Sequence, residues 1–375
     1  MKILIGVRED LLIFMKIINS LKAWMLLCIS LKKNIDFDIL QSTKVLMLRY
    51  DRIGDMVITT PVFRELKKKY PEIELSVLAS KSNQIILKNN PYVDNIYLNN
   101  KNNIFFDIFV LLKLRRKQFD ICIEFDHSVV RHAIIRLKII NPKKVISVNK
   151  NGRYGVDGNQ LKIYDYYTEK PLGSHFRDIW LGTLKPLNVI PGSNKYEIYL
   201  DENQRKKASK FLSQYGDKVF IGVNLEGAVN GKKINFEDLK SICTGLYRLH
   251  NNVLFLIISS PSSENKIINN INEMKLNFVQ KAYTTFNILD ASALINSLDL
   301  IITPDTSIAH IASTFNKPVI TIHEDNHDSH KLFAPTSDIN KTVFSKDSKS
   351  LIGFSIEDLI SKASEILRTL DKGKK

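Results

Sequence analysis

The chain alternates short apolar runs with longer amphipathic stretches, and it starts this alternation twice. The first series opens at Lys44. Val45–Leu48 is an apolar run of the kind that forms a buried parallel strand, and a helix is expected from Met56 to Tyr70, stopped by Pro71. Glu74–Leu78, Val93–Leu98, Asp120–Glu124 and Val145–Val148 read as further strands, with a helix starting near Asn83. The second series opens with a strand at Phe220–Asn224 and a helix over Asn235–Leu249. Strands at Val253–Ile258, Phe278-Val279, Leu300–Ile302 and Pro318–Ile322 follow, the last of these expected to close the sheet. Helices are expected from Ser263, over Ala291–Ser297, over Thr306–Phe315 and at the end over Ser355–Asp371. Such alternation specifies parallel sheets covered by helices on both faces. The expected fold is α/β: two Rossmann-like, doubly wound domains facing a central cleft, with an N-terminal helical extension. The 375 residues suffice for two cores.

The domain boundaries follow from the same pattern. Residues 1–43 form a basic helical extension, 44–188 a first domain, 189–350 a second, and 351–375 a terminal helix. The junction falls in Leu184–Ser193, at the end of a looser stretch rich in Tyr, Gly and Pro. In the extension, Leu11–Ile18 and Ala23–Leu31 are apolar but are flanked or interrupted by Lys16, Lys22, Lys32 and Lys33, with Phe14, Trp24 and Met25 on the apolar side. Neither segment reaches the ~18 apolar residues of a spanning helix. Two readings stay open: a helix lying in a membrane interface, or one packed on the protein.

Charge narrows the partners. Lys and Arg number 54 against 39 Asp and Glu, a net +15, which suits an anionic partner or reflects lysine on solvated surfaces. The lysines are dispersed and no aromatic-basic repeat accompanies them, so nucleic acid is not expected. Three separated cysteines, Cys28, Cys122 and Cys243, fit neither a disulfide framework nor a metal site and point to a reducing, cytoplasmic setting.

In doubly wound sheets, ligands bind outside the carboxyl ends of the strands, so the loops there are the candidates. Arg49-Tyr50-Asp51-Arg52-Ile53-Gly54-Asp55-Met56 follows the first strand. Gly54 permits a tight turn, and Asp55 lies near the helix N-terminus, where the macrodipole stabilises a carboxylate and where it can also simply cap the helix. Asn224–Lys233 carries Gly227, Gly231, Lys232 and Lys233 before a helix, a composition suited to phosphate. Thr303-Pro304-Asp305-Thr306-Ser307-Ile308-Ala309-His310 opens another helix, whose N–H groups at Thr306, Ser307 and Ile308 form an expected anion site, with His310 one turn in. His323-Glu324-Asp325-Asn326-His327 spells a zinc motif but directly follows a strand among turn-forming residues, and Asp36-Phe37-Asp38 lacks a sheet context; both are set aside as metal sites.

The loops together resemble one family. Leu48–Val62 with Leu66 and Tyr70-Pro71, then Asn90-Pro91-Tyr92-Val93-Asp94, then Asp299–Ala312 with Lys317-Pro318-Val319, are similar in order to glycosyltransferase family 9, the lipopolysaccharide heptosyltransferases. The resemblance spans roughly Lys44 to Pro335. It implies a GT-B fold and inverting, metal-independent transfer from ADP-heptose to a Kdo or heptose residue of the inner core, with no cofactor. It also implies Asp55 as general base, Arg52 and Gly54 on the acceptor-side loop, Lys232, Asp305, Thr306 and Ser307 on the donor diphosphate, His310 as a recurring histidine on the donor side, and Glu264 on the donor ribose. Ser307 stands where the family most often has glycine, and Ile234-Asn235 replaces a common Trp-Pro, leaving Lys232 and Lys233 as alternatives. The acceptor implies a partner at the inner leaflet and a peripheral location on the inner face of the membrane. Acceptor specificity is expected in Asn149–Gly173. The alternatives are another nucleotide-sugar or surface-polysaccharide acceptor on the same fold, or a non-catalytic nucleotide-binding module.

Overall fold

A computed structural model describes residues 18–100, 102–227 and 231–373. Phe14 and Lys16 of the extension, Ala228, Val229 and Asn230 of the second loop, and the last two lysines lie outside the described residues. The chain forms two compact units. One runs to Asp51 and takes in Pro61–Gln84 and Pro91–Asn194; the other comprises Arg52–Thr60, Ile85–Asn90 and Lys195–Lys375.

The first unit holds a sheet of six parallel strands, β1 (Lys44–Arg49), β2 (Glu74–Ser80), β3 (Asn95–Asn99), β4 (Ile121–Glu124), β5 (Lys144–Val148) and β6 (Tyr166–Thr168), ordered β3-β2-β1-β4-β5-β6. Val45, Leu46 and Met47 are fully buried, as strands covered on both faces require. The order reverses between β1 and β4, so the loops after these two strands flank the switch point. One sheet face, including Leu46, Leu48, Cys122 and Val145, packs on the helices Ile104–Arg116 and Arg131–Ile140 and on a helix over residues 18–30. That last helix buries Leu26 in this core while Trp24 and Met25 stay exposed, so the extension is packed on the protein along one side only. Lys32 reaches Asp165 at 2.6 Å, and Asp165 also accepts the Val145 N–H at 2.7 Å, tying the segment to the sheet edge.

The second unit repeats the plan with β7 (Val219–Asn224), β8 (Val253–Ile258), β9 (Val279–Lys281), β10 (Leu300–Pro304), β11 (Val319–His323) and β12 (Asn340–Phe344), all parallel, ordered β12-β11-β10-β7-β8-β9. Its switch point lies between β7 and β10. The helix Phe236–Leu249 is capped by Asn235, which accepts the Asp238 N–H at 2.7 Å, and it buries Leu239, Ile242, Cys243 and Leu246 in the core.

Several expectations are corrected. Pro318–Ile322 does not close the second sheet, because β12 adds a further strand beyond it. Only Val343 of the five residues of β12 is buried, so the strand carries no apolar run in the sequence. The helix expected from Asn83 is a single short turn, Gln84–Leu87: the Asn83 side chain accepts the Ser80 N–H at 2.9 Å and donates to the Arg49 carbonyl at 3.0 Å, fixing a turn instead. The helices Ile104–Arg116, Arg131–Ile140 and Glu202–Ser213, the short helix His327–Phe333, and β6 add to the sequence reading. Among the described residues no helix is long and apolar enough to cross a membrane.

Candidate active site

The switch point of the second sheet gathers most of the candidate residues. Asn224, the last residue of β7, donates from its amide to Thr303 Oγ1 at 3.0 Å, Thr306 Oγ1 at 3.3 Å and the Glu226 carbonyl at 3.0 Å. A buried carboxamide at this strand end thereby locks the loop after β7 to the loop after β10. Thr306 caps the helix Ser307–Thr314: its hydroxyl accepts the Ile308 N–H at 3.3 Å. The Ile308 N–H, expected to be open to an anion, is therefore occupied by the cap. The N–H groups of Thr306 and Ser307 have no partner among the described residues and stay available at the positive helix end.

Gly54 and Asp55 belong to the same unit as this helix. A Cβ on Gly54 would lie 2.9 Å from His310 Cδ2 and 3.5 Å from Ser307 Cα, so a glycine is needed for the turn to seat on the helix's first turn. Asp55 is the third residue of the helix Ile53–Lys69 and accepts the Arg52 N–H at 3.3 Å, the geometry of a cap. Arg52 itself is exposed. His310 is buried, and burial lowers its pKa while Asp305 and Asp55 partly counter the shift; its Nδ1 has no hydrogen-bond partner among the described residues. The Tyr196 ring stands edge-on to it at 6.3 Å.

Lys232 and Lys233 part company. Lys233 is exposed, whereas Lys232 is half-buried and reaches Glu324 Oε1 at 2.5 Å. Burial disfavours the Glu324 charge, but the hydrogen bond from Lys232, a backbone hydrogen bond and the nearby His323 and Lys232 charges together outweigh it and hold the carboxyl below its ordinary range. Gly227 lies so close to the Lys232 carbonyl that a Cβ would overlap it at 1.6 Å, which explains a glycine there. His323 Nε2 is 3.5 Å from Asp305 Oδ2, and its Nδ1 is 2.8 Å from the Glu324 carbonyl oxygen, so the ends of β10 and β11 are joined as well. His323 lies on β11 and His327 begins a separate short helix capped by Asn326; the two are not on one helix face, as the zinc motif would need. Asp38 caps the short turn Ile39–Gln41 by accepting the Leu40 N–H at 3.0 Å.

Glu264 begins the helix Glu264–Met274, and its carboxylate accepts from Lys281 and Thr284, whose hydrogen bonds lower its pKa. Glu226, two residues beyond β7, accepts the Ser260 N–H and hydroxyl, each at 2.9 Å, and the Ser263 hydroxyl. Asn224, Glu226 and Glu324 are thus site neighbours not singled out by the sequence reading. Each lies within two residues of a strand's carboxyl end, and that position was the available signal.

The first sheet carries its own polar cluster at the switch point. Glu124, ending β4, is fully buried; it pairs with Lys150 and accepts the Asp126 N–H at 2.6 Å and the Ser147 hydroxyl at 3.0 Å. Asp126 beside it is pushed up to about 9, by burial first and then by the Glu124 and Asp51 charges. In the stretch Asn149–Gly173, Tyr154 is stacked by both Arg131 and Arg153, at 4.5 and 4.8 Å.

Comparison with known proteins identifies the family and the fold. The model of glycosyltransferase family 9 (heptosyltransferase) matches residues 110–363, more than half of the chain, and begins downstream of the Asp55 loop. The lipopolysaccharide core heptosyltransferase OpsX of Haemophilus influenzae is 23% identical over 278 residues, covering 74% of this chain and 78% of that protein. Among solved structures, a family 9 glycosyl transferase from Veillonella parvula superposes with a TM-score of 0.72 at 19% identity, covering 89% of this chain and 99% of that one. The E. coli ADP-heptose lps heptosyltransferase II gives 0.67 at 14% identity, covering 88% and 99%. The fold is accordingly of the GT-B type, built from two doubly wound α/β domains. With its strand-end loops assembled at the second switch point and the family model spanning most of its length, the chain belongs to glycosyltransferase family 9, the heptosyltransferases, and is a glycosyltransferase.

Proposed function

We propose that the protein transfers a heptose, with inversion and without a metal, from ADP-heptose to the inner core of lipopolysaccharide, on a Kdo or heptose residue. The seat of Gly54 against Ser307 and His310 carries this reading, because Asp55 follows Gly54 directly and its charge acts on His310, one turn into the capped helix. A base and an anion-binding helix end in one site suit attack by a hydroxyl on a sugar with a diphosphate leaving group. The similarity to the E. coli ADP-heptose lps heptosyltransferase II supports the choice of donor.

In this scheme the acceptor hydroxyl gives its proton to Asp55 as its oxygen bonds the anomeric carbon. The bond from that carbon to the phosphate oxygen breaks, and ADP leaves with the electron pair. Lys232 and the Thr306 and Ser307 N–H groups stabilise the charge on the diphosphate, and Asp305 and His310 shape the loop around it. Glu264 is assigned to the donor ribose, and Arg52 with Gly54 to the acceptor-side loop. The reaction takes place in the cytoplasm, at the inner face of the membrane that carries the acceptor. The domains act as 1–43, 44–188, 189–350 and 351–375.

The test is transfer from ADP-heptose to a Kdo-bearing lipid A acceptor. Asp55→Ala should lose about a hundredfold to ten-thousandfold in turnover with an unchanged circular dichroism spectrum. A wild-type protein that binds ADP yet transfers nothing to this acceptor overturns the choice of substrates.

A further inference from the structure

The helix Ile104–Arg116 has two apolar faces. Val110, Leu111 and Leu114 are buried against the first sheet. On the outer side Ile104, Phe105, Ile108, Phe109 and Leu112, at spacing i, i+1, i+4, i+5 and i+8, form an exposed stripe; Phe105 is 83% and Phe109 64% exposed. A solvated helix normally presents polar residues there, and a run of exposed aromatic and branched residues marks a binding surface.

The neighbouring helices are fastened to this one. Arg136 pairs with Asp107 at 2.8 Å, and Arg115 donates to the Ile139 carbonyl at 3.0 Å, so Arg131–Ile140 is fastened to Ile104–Arg116. Lys138 on the same helix donates to the Leu31 carbonyl, just beyond the helix over residues 18–30, where Trp24 is 63% exposed. All three helices cover one sheet face. The outer stripe ends in a cationic fringe: Lys113, Arg116 and Lys117 are exposed. A second copy of this chain would set those cations against one another, whereas anionic headgroups match them.

We propose that this three-helix face, led by Phe105 and Phe109, seats the protein on the surface of an anionic lipid bilayer. The aromatic stripe enters the headgroup boundary and the basic fringe meets lipid phosphates, the arrangement of an interfacial helix. The inference rests on the reading of a membrane-borne acceptor for its purpose, but its test uses neither donor nor acceptor.

The full chain is sedimented with phosphatidylglycerol-rich vesicles and with pure phosphatidylcholine vesicles. Binding should favour the first and weaken with salt. Phe105→Ser with Phe109→Ser should bind at least about tenfold less tightly, with an unchanged thermal midpoint and an unchanged circular dichroism spectrum. Arg116→Glu with Lys117→Glu should lose the preference for phosphatidylglycerol. Equal binding by the Phe variant and the wild type overturns the proposal. So does a dimer in light scattering without lipid that the Phe substitutions dissolve, which would make the face a self-association surface. Loss of binding in a chain beginning at residue 18, with the Phe variant unaffected, would move the contact to the preceding segment and overturn it too. Vesicle binding without sugar transfer would leave the surface standing and remove only the choice of substrates.

Discussion

At the scale of single residues, the site depends on close approach. Gly54 has no room for a Cβ, with His310 Cδ2 at 2.9 Å from where one would lie. Gly54→Ala should therefore push the turn off the helix Ser307–Thr314, costing about 1–3 kcal/mol of stability and lowering turnover while the rest of the fold holds. Thermal unfolding and steady-state kinetics on the same preparation would show both. Glu324 acts on Lys232 by holding its ammonium, and Glu324→Gln should weaken that hold. The expected effect is a weaker affinity for ADP in calorimetry with the helical content unchanged. Asp126 gives a pH signature. Unfolded, its carboxyl ionises near about pH 4; folded, its proton is retained up to about 9. Between those values the folded chain binds the extra proton, so this group's contribution to stability is complete below the lower value and is lost as pH rises through the upper one. Asp126→Asn should flatten the fall of the melting temperature with pH across that window, and an unaltered slope would refute the assignment.

At the scale of elements, one buried side chain joins two strand-end loops. Asn224 holds Thr303 and Thr306, and Thr306 caps the helix that offers its N–H groups. Thr306→Ala removes the cap and one end of this lock, which should cost about 1 kcal/mol and reduce nucleotide affinity, read by thermal shift with and without ADP. Helix spans were largely legible wherever one face was apolar: Phe236–Leu249 follows an Asn cap and shows Leu239, Ile242, Cys243 and Leu246 at helical spacing. Ile104–Arg116 was not, because its second apolar face fills in the period that identifies a helix. The short turn at Gln84–Leu87 escaped for another reason: Asn83 diverts the backbone with its own side chain, and local side-chain bonds override weak propensity.

At the scale of the whole molecule, the chain writes the same doubly wound plan twice, and each copy puts its polar loops at a point of reversed strand order. The apolar strands, the order of the glycine, carboxylate and lysine loops, and the Pro-Asp-Thr-Ser cap can be read from the sequence because they depend on neighbours within a few residues along the chain. The α/β class and the family followed from them. Tertiary structure decided the pairings across long sequence separations: Lys232 with Glu324 rather than Lys233, Asp305 with His323, Gly54 against Ser307, and the buried Glu124–Lys150 pair. Such contacts form where strand ends converge, and the free energy of desolvating a charge is settled by whichever partner the fold brings near. Sequence spacing encodes the local elements; which charges meet is decided only when the sheet closes the distance between them.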